Sequence, residues 1–94
     1  MQHREGWFKG AGRADVYFQQ WMPAHAPRGI ILVVHGAAEH SGRYARFAAH
    51  FVNKGYGVAA LDHIGHGRSE GTPGYIRNFA DYVATLDVFR ELVQ

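Results

Sequence analysis

The stretch Ile30-Ile31-Leu32-Val33-Val34-His35-Gly36-Ala37-Ala38-Glu39-His40-Ser41-Gly42-Arg43-Tyr44 decides how the rest of the chain is read. It opens on an unbroken apolar run rich in β-branched side chains, which predicts a strand buried on both faces. The run stops at His35-Gly36, small and polar residues follow, and helical periodicity then begins. Strand, tight turn and helix make the βα unit of an α/β protein. In open α/β sheets ligands bind beyond the carboxyl ends of the strands. Residues 35–41 therefore lie where chemistry is expected.

Working outward toward the N-terminus, Trp7-Phe8-Lys9 and Ala14 to Met22 read as a hairpin around Gly10-Ala11-Gly12. Its two glycines are expected to supply the positive φ of the turn. In the second arm Val16 and Phe18 share one face, and Tyr17, Gln19 and Trp21 the other, which suits an antiparallel strand near a sheet edge. Pro23 to Gly29 is a loop.

Toward the C-terminus, Ser41 is the expected cap of a helix from Gly42 to Lys54. Tyr44, Phe47, Ala48, Phe51 and Val52 recur on one face of it, and Gly55 ends it. Gly57 to Leu61 reads as a second buried strand that stops at Asp62, and residues 63–74 form a glycine-rich loop. Asn78 is the expected cap of a second helix reaching Gln94, with Phe79, Tyr82, Val83, Leu86, Phe89, Leu92 and Val93 as its apolar stripe. The order β-β-β-α-β-α ends on a helix with no strand after it. Residues 1–94 are accordingly read as the N-terminal portion of a single α/β domain, a β-hairpin followed by βαβα, whose sheet is incomplete without following strands.

Composition narrows the function classes. The 94 residues are 47% hydrophobic and 14% aromatic, with a net charge of +2, values of a globular chain. The arginines are scattered, so the basic stripe of a nucleic-acid binder is absent. There is no cysteine to serve as thiol nucleophile or ligand. Met1 to Glu5 shows no apolar targeting segment, and no run approaches the roughly 20 residues of a membrane helix. The expectation is a cytoplasmic protein able to rest on a lipid surface as a peripheral partner.

Gly67-Arg68-Ser69-Glu70-Gly71 matches the nucleophile-elbow pattern G-x-S-x-G by letter. An elbow needs its Ser on a sharp turn directly between strand and helix. Here the strand has ended near Asp62, and Thr72-Pro73-Gly74 forbids an immediate helix. Ser69 is expected instead to satisfy backbone groups within a loop. His35-Gly36-Ala37 carries more information. Acyl transfer needs N–H donors aimed at a developing oxyanion, and one of them comes from the first βα loop in α/β-hydrolases. The Ala37 amide stands at that position and Gly36 lets the backbone turn closely, although a plain tight turn explains the same spacing equally well. His35, His40, His63 and His66 gather at one sheet end, yet no familiar zinc spacing appears and no metal is expected. Gly65-His66-Gly67 lacks the third glycine and helix of a dinucleotide fingerprint.

His35 to Tyr44, and Asp62-His63-Ile64-Gly65-His66-Gly67-Arg68-Ser69-Glu70-Gly71, together resemble two linked signatures of the monoacylglycerol lipase and lysophospholipase group of α/β-hydrolases, often classed with the serine aminopeptidases. The resemblance covers essentially the whole chain. It implies a serine ester hydrolase acting on monoacylglycerol, lysophospholipid or a similar ester, without a cofactor. It further implies that Ala37 supplies an oxyanion-hole amide. Glu39 and Arg43 match positions lining the alcohol-side end of the substrate pocket. His35, Gly36, Asp62, Gly65, His66 and Gly67 match the structural loops beside the site. By the same resemblance the Ser, Asp and His triad lies beyond Gln94, so the 94 residues alone are expected to be inactive. The rival readings are a non-catalytic fragment and a histidine-rich metal-binding module.

Overall fold

The computed structural model describes residues 1–34, 44–71 and 79–93. Four strands, β1 (Gln2–Lys9), β2 (Asp15–Met22), β3 (Ile30–Val33) and β4 (Gly57–Leu61), form one mixed sheet in the order β1-β2-β4-β3. β1 pairs antiparallel with β2, and β2 with β4, whereas β3 runs parallel to β4 with Val33 beside Ala60. Helices α1 (Ala45–Val52) and α2 (Phe79–Val93) pack on opposite faces.

β4 is the centre, buried from Gly57 to Leu61 as expected. Alternation along it sorts the core into two layers. Val58 and Ala60 pack with Trp21, Ala48 and Val52 under α1. Ala59 and Leu61 pack with Val16, Phe89 and Val93 under α2. The expected two-faced β2 holds: Val16 and Phe18 enter the α2 layer and Trp21 the α1 layer.

The first arm of the hairpin is longer than Trp7 to Lys9. β1 runs back to Gln2 through the polar His3-Arg4-Glu5, because an edge strand pairs through its backbone and needs no apolar alternation. The turn differs as well. Gly12 and Arg13 take the positive φ values, 64° and 61°, while Gly10 sits at −90°. Gly10 is required for closeness instead, since a Cβ there would lie 2.8 Å from the Thr85 side chain. Beside it the Ala11 amide donates to Thr85 Oγ1 at 3.0 Å. α2 is thereby locked onto the turn, and Phe89 meets the rings of Phe8 and Phe18 at 5.5 and 5.6 Å.

β3 is only half-buried, and Val34 beyond it is 49% exposed. The expectation of burial on both faces fails because β3 is hydrogen-bonded to β4 alone among the described residues. Within the helix expected from Gly42 to Lys54, the described residues form α1, Ala45–Val52, and Tyr44 at its N-cap position makes no side-chain cap bond; the expected cap Ser41 and the expected start Gly42 lie outside the described residues. Its C-terminus follows expectation. Gly55, at φ 92°, donates to the Val52 carbonyl at 2.9 Å and Tyr56 to the Phe51 carbonyl at 3.1 Å, the paired bonds of a Schellman ending. On α2 the buried face is Thr85, Phe89 and Val93, whereas Phe79, Val83 and Leu92 of the expected stripe are exposed. The helix is apolar over a wider arc than four strands can cover. Its expected cap Asn78 lies outside the described residues.

Candidate active site

The parallel pair fixes where chemistry can be done. With Val33 beside Ala60, the carboxyl ends of β3 and β4 lie side by side. The residues following β3 that were singled out in the sequence, His35, Gly36, Ala37, Glu39 and Arg43, lie outside the described residues. Those following β4 are described, and they form a loop folded back on β2.

Asp62 starts that loop at 2% exposure. Its amide donates to the Tyr17 carbonyl at 2.9 Å, continuing the β2–β4 ladder one step past Leu61. Its Oδ2 accepts the Arg68 amide at 2.9 Å. A carboxylate that caps an amide six residues on holds the loop in a closed turn. Gly65 and Gly67 take positive φ inside it, 79° and 51°. The Gly65 amide donates to the Glu70 carbonyl at 3.0 Å and the His66 amide to the His63 carbonyl at 2.9 Å. The His66 Nδ1 lies 3.2 Å from the Ile64 carbonyl. At its far end the loop is stitched to β2 twice: the Glu70 amide donates to the Asp15 carbonyl, and the Asp15 amide to Glu70 Oε1, both at 2.8 Å.

Ser69 sits between these stitches, 9% exposed. Its hydroxyl accepts the Tyr17 amide at 2.8 Å and donates to the Asp62 carbonyl. A hydroxyl engaged by backbone on both its donor and acceptor sides is not an activated nucleophile, which needs a base at hydrogen-bond distance. The G-x-S-x-G string thus has loop chemistry and not elbow chemistry.

Among the described residues no three His, Cys, Asp or Glu side chains stand where they could hold an ion together; His35 and His40 lie outside them. His63 is buried at 7% exposure, its ring 4.5 Å from that of Tyr82, and His66 lies 6.3 Å from both rings.

Sequence reasoning missed a cluster on the other side of the loop. The Tyr17 phenol donates to the Glu5 carboxylate. The Arg68 guanidinium lies 5.0 Å from the Tyr17 ring centre and 3.7 Å from Glu5. Burial, then the hydrogen bond to Glu5 and its negative charge, push the Tyr17 phenol up to about 12, against the opposing pull of Arg68. Glu5 and Tyr17 lie on different strands at positions with no shared motif, so their meeting depends on register alone.

Residues 25–94 match the family model described as Serine aminopeptidase, S33. The chain belongs to this family. It is 42% identical over 86 residues to a monoacylglycerol lipase of Mycolicibacterium smegmatis, an alignment covering 92% of this chain and 30% of that protein. It is also 42% identical over 59 residues to Protein K6 of vaccinia virus, covering 63% of this chain and 73% of that one. Among solved structures, a thermostable carboxyl esterase of Bacillus coagulans superposes with a TM-score of 0.87 at 32% identity, over all of this chain and 32% of the esterase. The chain thus spans about a third of the length of the family lipase and esterase it matches. The expected α/β-hydrolase sheet, present in part, is borne out, as is the likeness to monoacylglycerol lipases.

Proposed function

We propose that these residues are the N-terminal portion, within one domain, of a serine ester hydrolase that works through an acyl-enzyme on monoacylglycerol, lysophospholipid or a similar carboxylic ester. The observation that supports it most directly is the parallel β3–β4 pair, whose carboxyl ends lie side by side where the two signature stretches of the sequence begin. The 42% identity to a monoacylglycerol lipase supports the substrate class. On this reading Ala37 donates its amide to the oxyanion as the substrate carbonyl becomes tetrahedral. Glu39 and Arg43 hydrogen-bond the hydroxyls of the alcohol portion, and His35, Gly36, Asp62, Gly65, His66 and Gly67 are structural residues that buttress the site from beside it. The nucleophilic Ser, the His that carries its proton and the orienting Asp come from the rest of the protein. The enzyme works in the cytoplasm and meets its lipid at a surface; among the described residues no helix is long and apolar enough to cross a membrane.

A second reading is a non-catalytic fragment with no activity of its own; the likeness to Protein K6 of vaccinia virus, 73% of which is covered by an alignment of 59 residues, shows that short relatives exist. One experiment separates the two. The full-length protein and residues 1–94 are each treated with a fluorophosphonate serine probe and assayed on a monoacylglycerol and a simple alkyl ester. Hydrolysis and labelling by the full-length protein only, with Glu39→Gln or Arg43→Ala slowing the glyceryl ester more than the alkyl ester, is the expected result. A full-length protein that neither hydrolyses esters nor labels overturns the hydrolase reading. Labelling of residues 1–94 at Ser69 or Ser41 overturns the placement of the nucleophile.

A further inference from the structure

The motif that the hydrolase reading leaves over is Gly67-Arg68-Ser69-Glu70-Gly71, and its geometry is specific. β2 and β4 pair in register as far as Phe18 opposite Leu61, and the Asp62 amide still reaches the Tyr17 carbonyl. There β4 turns away, and the ladder offers the Tyr17 amide no strand carbonyl. The Ser69 hydroxyl fills the gap, accepting the Tyr17 amide at 2.8 Å and donating onward to the Asp62 carbonyl. One step further the backbone resumes pairing, the Glu70 amide with the Asp15 carbonyl.

We infer that Ser69 is a positioning residue: its hydroxyl is spliced into the β2–β4 ladder in place of a peptide carbonyl, and it fixes the loop Asp62–Gly71 against β2 at the carboxyl end of the parallel strands. Three features make the splice the hinge point of the loop. Tyr17 and Asp62 are 4% and 2% exposed, so water does not readily replace the hydroxyl for their backbone groups. Arg68, the residue before Ser69, is tied through its amide to the Asp62 carboxylate, and Glu70, the residue after it, to Asp15. Without the hydroxyl the Tyr17 amide and the Asp62 carbonyl lose their bridge together, at the point where β4 enters the loop.

The consequence for turnover rests on the hydrolase reading; the consequence for the Tyr17 amide does not. In the full-length protein, Ser69→Ala is compared with Ser69→Thr, which keeps the hydroxyl, and with Ser69→Cys, which keeps the size but only a weak sulfur partner. Hydrogen exchange at the Tyr17 amide is expected to quicken by about 10- to 100-fold in Ser69→Ala, less in Ser69→Cys, and to return toward the parent value in Ser69→Thr. Ester turnover is expected to fall by about 10- to 100-fold with KM little changed, while the fluorophosphonate probe still labels a serine other than Ser69. Unchanged Tyr17 exchange in a folded Ser69→Ala protein, or in Ser69→Cys where the alanine variant does not fold, overturns the splice. Altered exchange with turnover and KM both retained overturns the positioning role. Probe found on Ser69 itself overturns both. A parent protein without esterase activity defeats the hydrolase reading, and the exchange comparison still decides the splice.

Discussion

The two edges of the sheet are built differently. β1 is eight residues long, carries His3, Arg4, Glu5 and Lys9, and is largely exposed. β3 is four residues long, Ile30-Ile31-Leu32-Val33, with no polar side chain, and is followed by the half-exposed Val34. Charged side chains on an outer strand discourage pairing with a stranger, and an uncharged apolar strand invites it. β1 is a finished boundary of the sheet, and β3 has the composition of an interior strand. The apolar arc of α2 tells the same story, with Phe79, Val83, Val88 and Leu92 exposed on a helix whose buried residues are Thr85, Phe89 and Val93.

The largest effect expected of this asymmetry is on association. Residues 1–94 on their own should form concentration-dependent oligomers through β3, seen by light scattering, and Ile31→Lys should suppress them where Arg4→Ala does not. A monomer with a sharp cooperative melt at micromolar concentration breaks the comparison. Next is the side that is already complete. Phe89→Ala, in a protein where that ring is 0% exposed, should cost the full-length fold about 3–5 kcal/mol in denaturant titration, with turnover per folded molecule nearly preserved. At the carboxyl end of β3 the balance reverses. Ala37→Pro removes the one donor that position offers and should lower turnover by about 100- to 1,000-fold, with circular dichroism as the control for folding; near-normal turnover in a folded variant removes Ala37 from the oxyanion site.

A smaller effect belongs to alkaline pH. The folded protein holds the Tyr17 phenol at about 12, above the ordinary value of 10.0. A raised acid is one that unfolding releases, so this contribution is intact below pH 10 and is lost as pH rises from 10 toward 12. Tyr17→Phe should flatten that part of the stability profile, and an unchanged alkaline slope would show that other groups set it. The smallest belongs to the finished edge. Lys9 and Asp15 meet at 2.5 Å with side chains 57% and 50% exposed. Lys9→Ala should shift stability by no more than about 0.5 kcal/mol, less in high salt.

Much of this fold is legible in the sequence, and the rest is hidden for identifiable reasons. β4 and the closure of α1 at Gly55 follow from an apolar run and from a residue that tolerates positive φ. The part of β1 from Gln2 to Gly6, ahead of the expected Trp7-Phe8-Lys9 arm, is hidden because a strand that shows solvent its polar residues has no hydrophobic period to detect. The partial burial of β3 and the narrow buried face of α2 depend on neighbours, which a local pattern does not contain. At the candidate site, the letters Gly67 to Gly71 point at Ser69, but only the register of β2 against β4 shows that its hydroxyl serves Tyr17 and Asp62. Ala37, Glu39 and Arg43 rest on the motif alone, since they lie outside the described residues.

The grip of α2 on the hairpin turn has a consequence for how the protein is made. The Ala11 amide and Thr85 Oγ1 are 74 residues apart, and the Phe8 ring waits for Phe89. At a synthesis rate of about 5–20 residues per second, the first strand leaves the ribosome roughly 4–16 seconds before the helix that seals it. During that interval the hairpin has neither β4 to pair with at first nor α2 to cover Phe8 and Phe18. Contacts so distant along the chain close slowly. The hairpin is therefore made well before α2 and is among the last elements to find shelter, and its charged outer edge, Arg4 and Glu5 included, guards the nascent chain before it bounds the sheet.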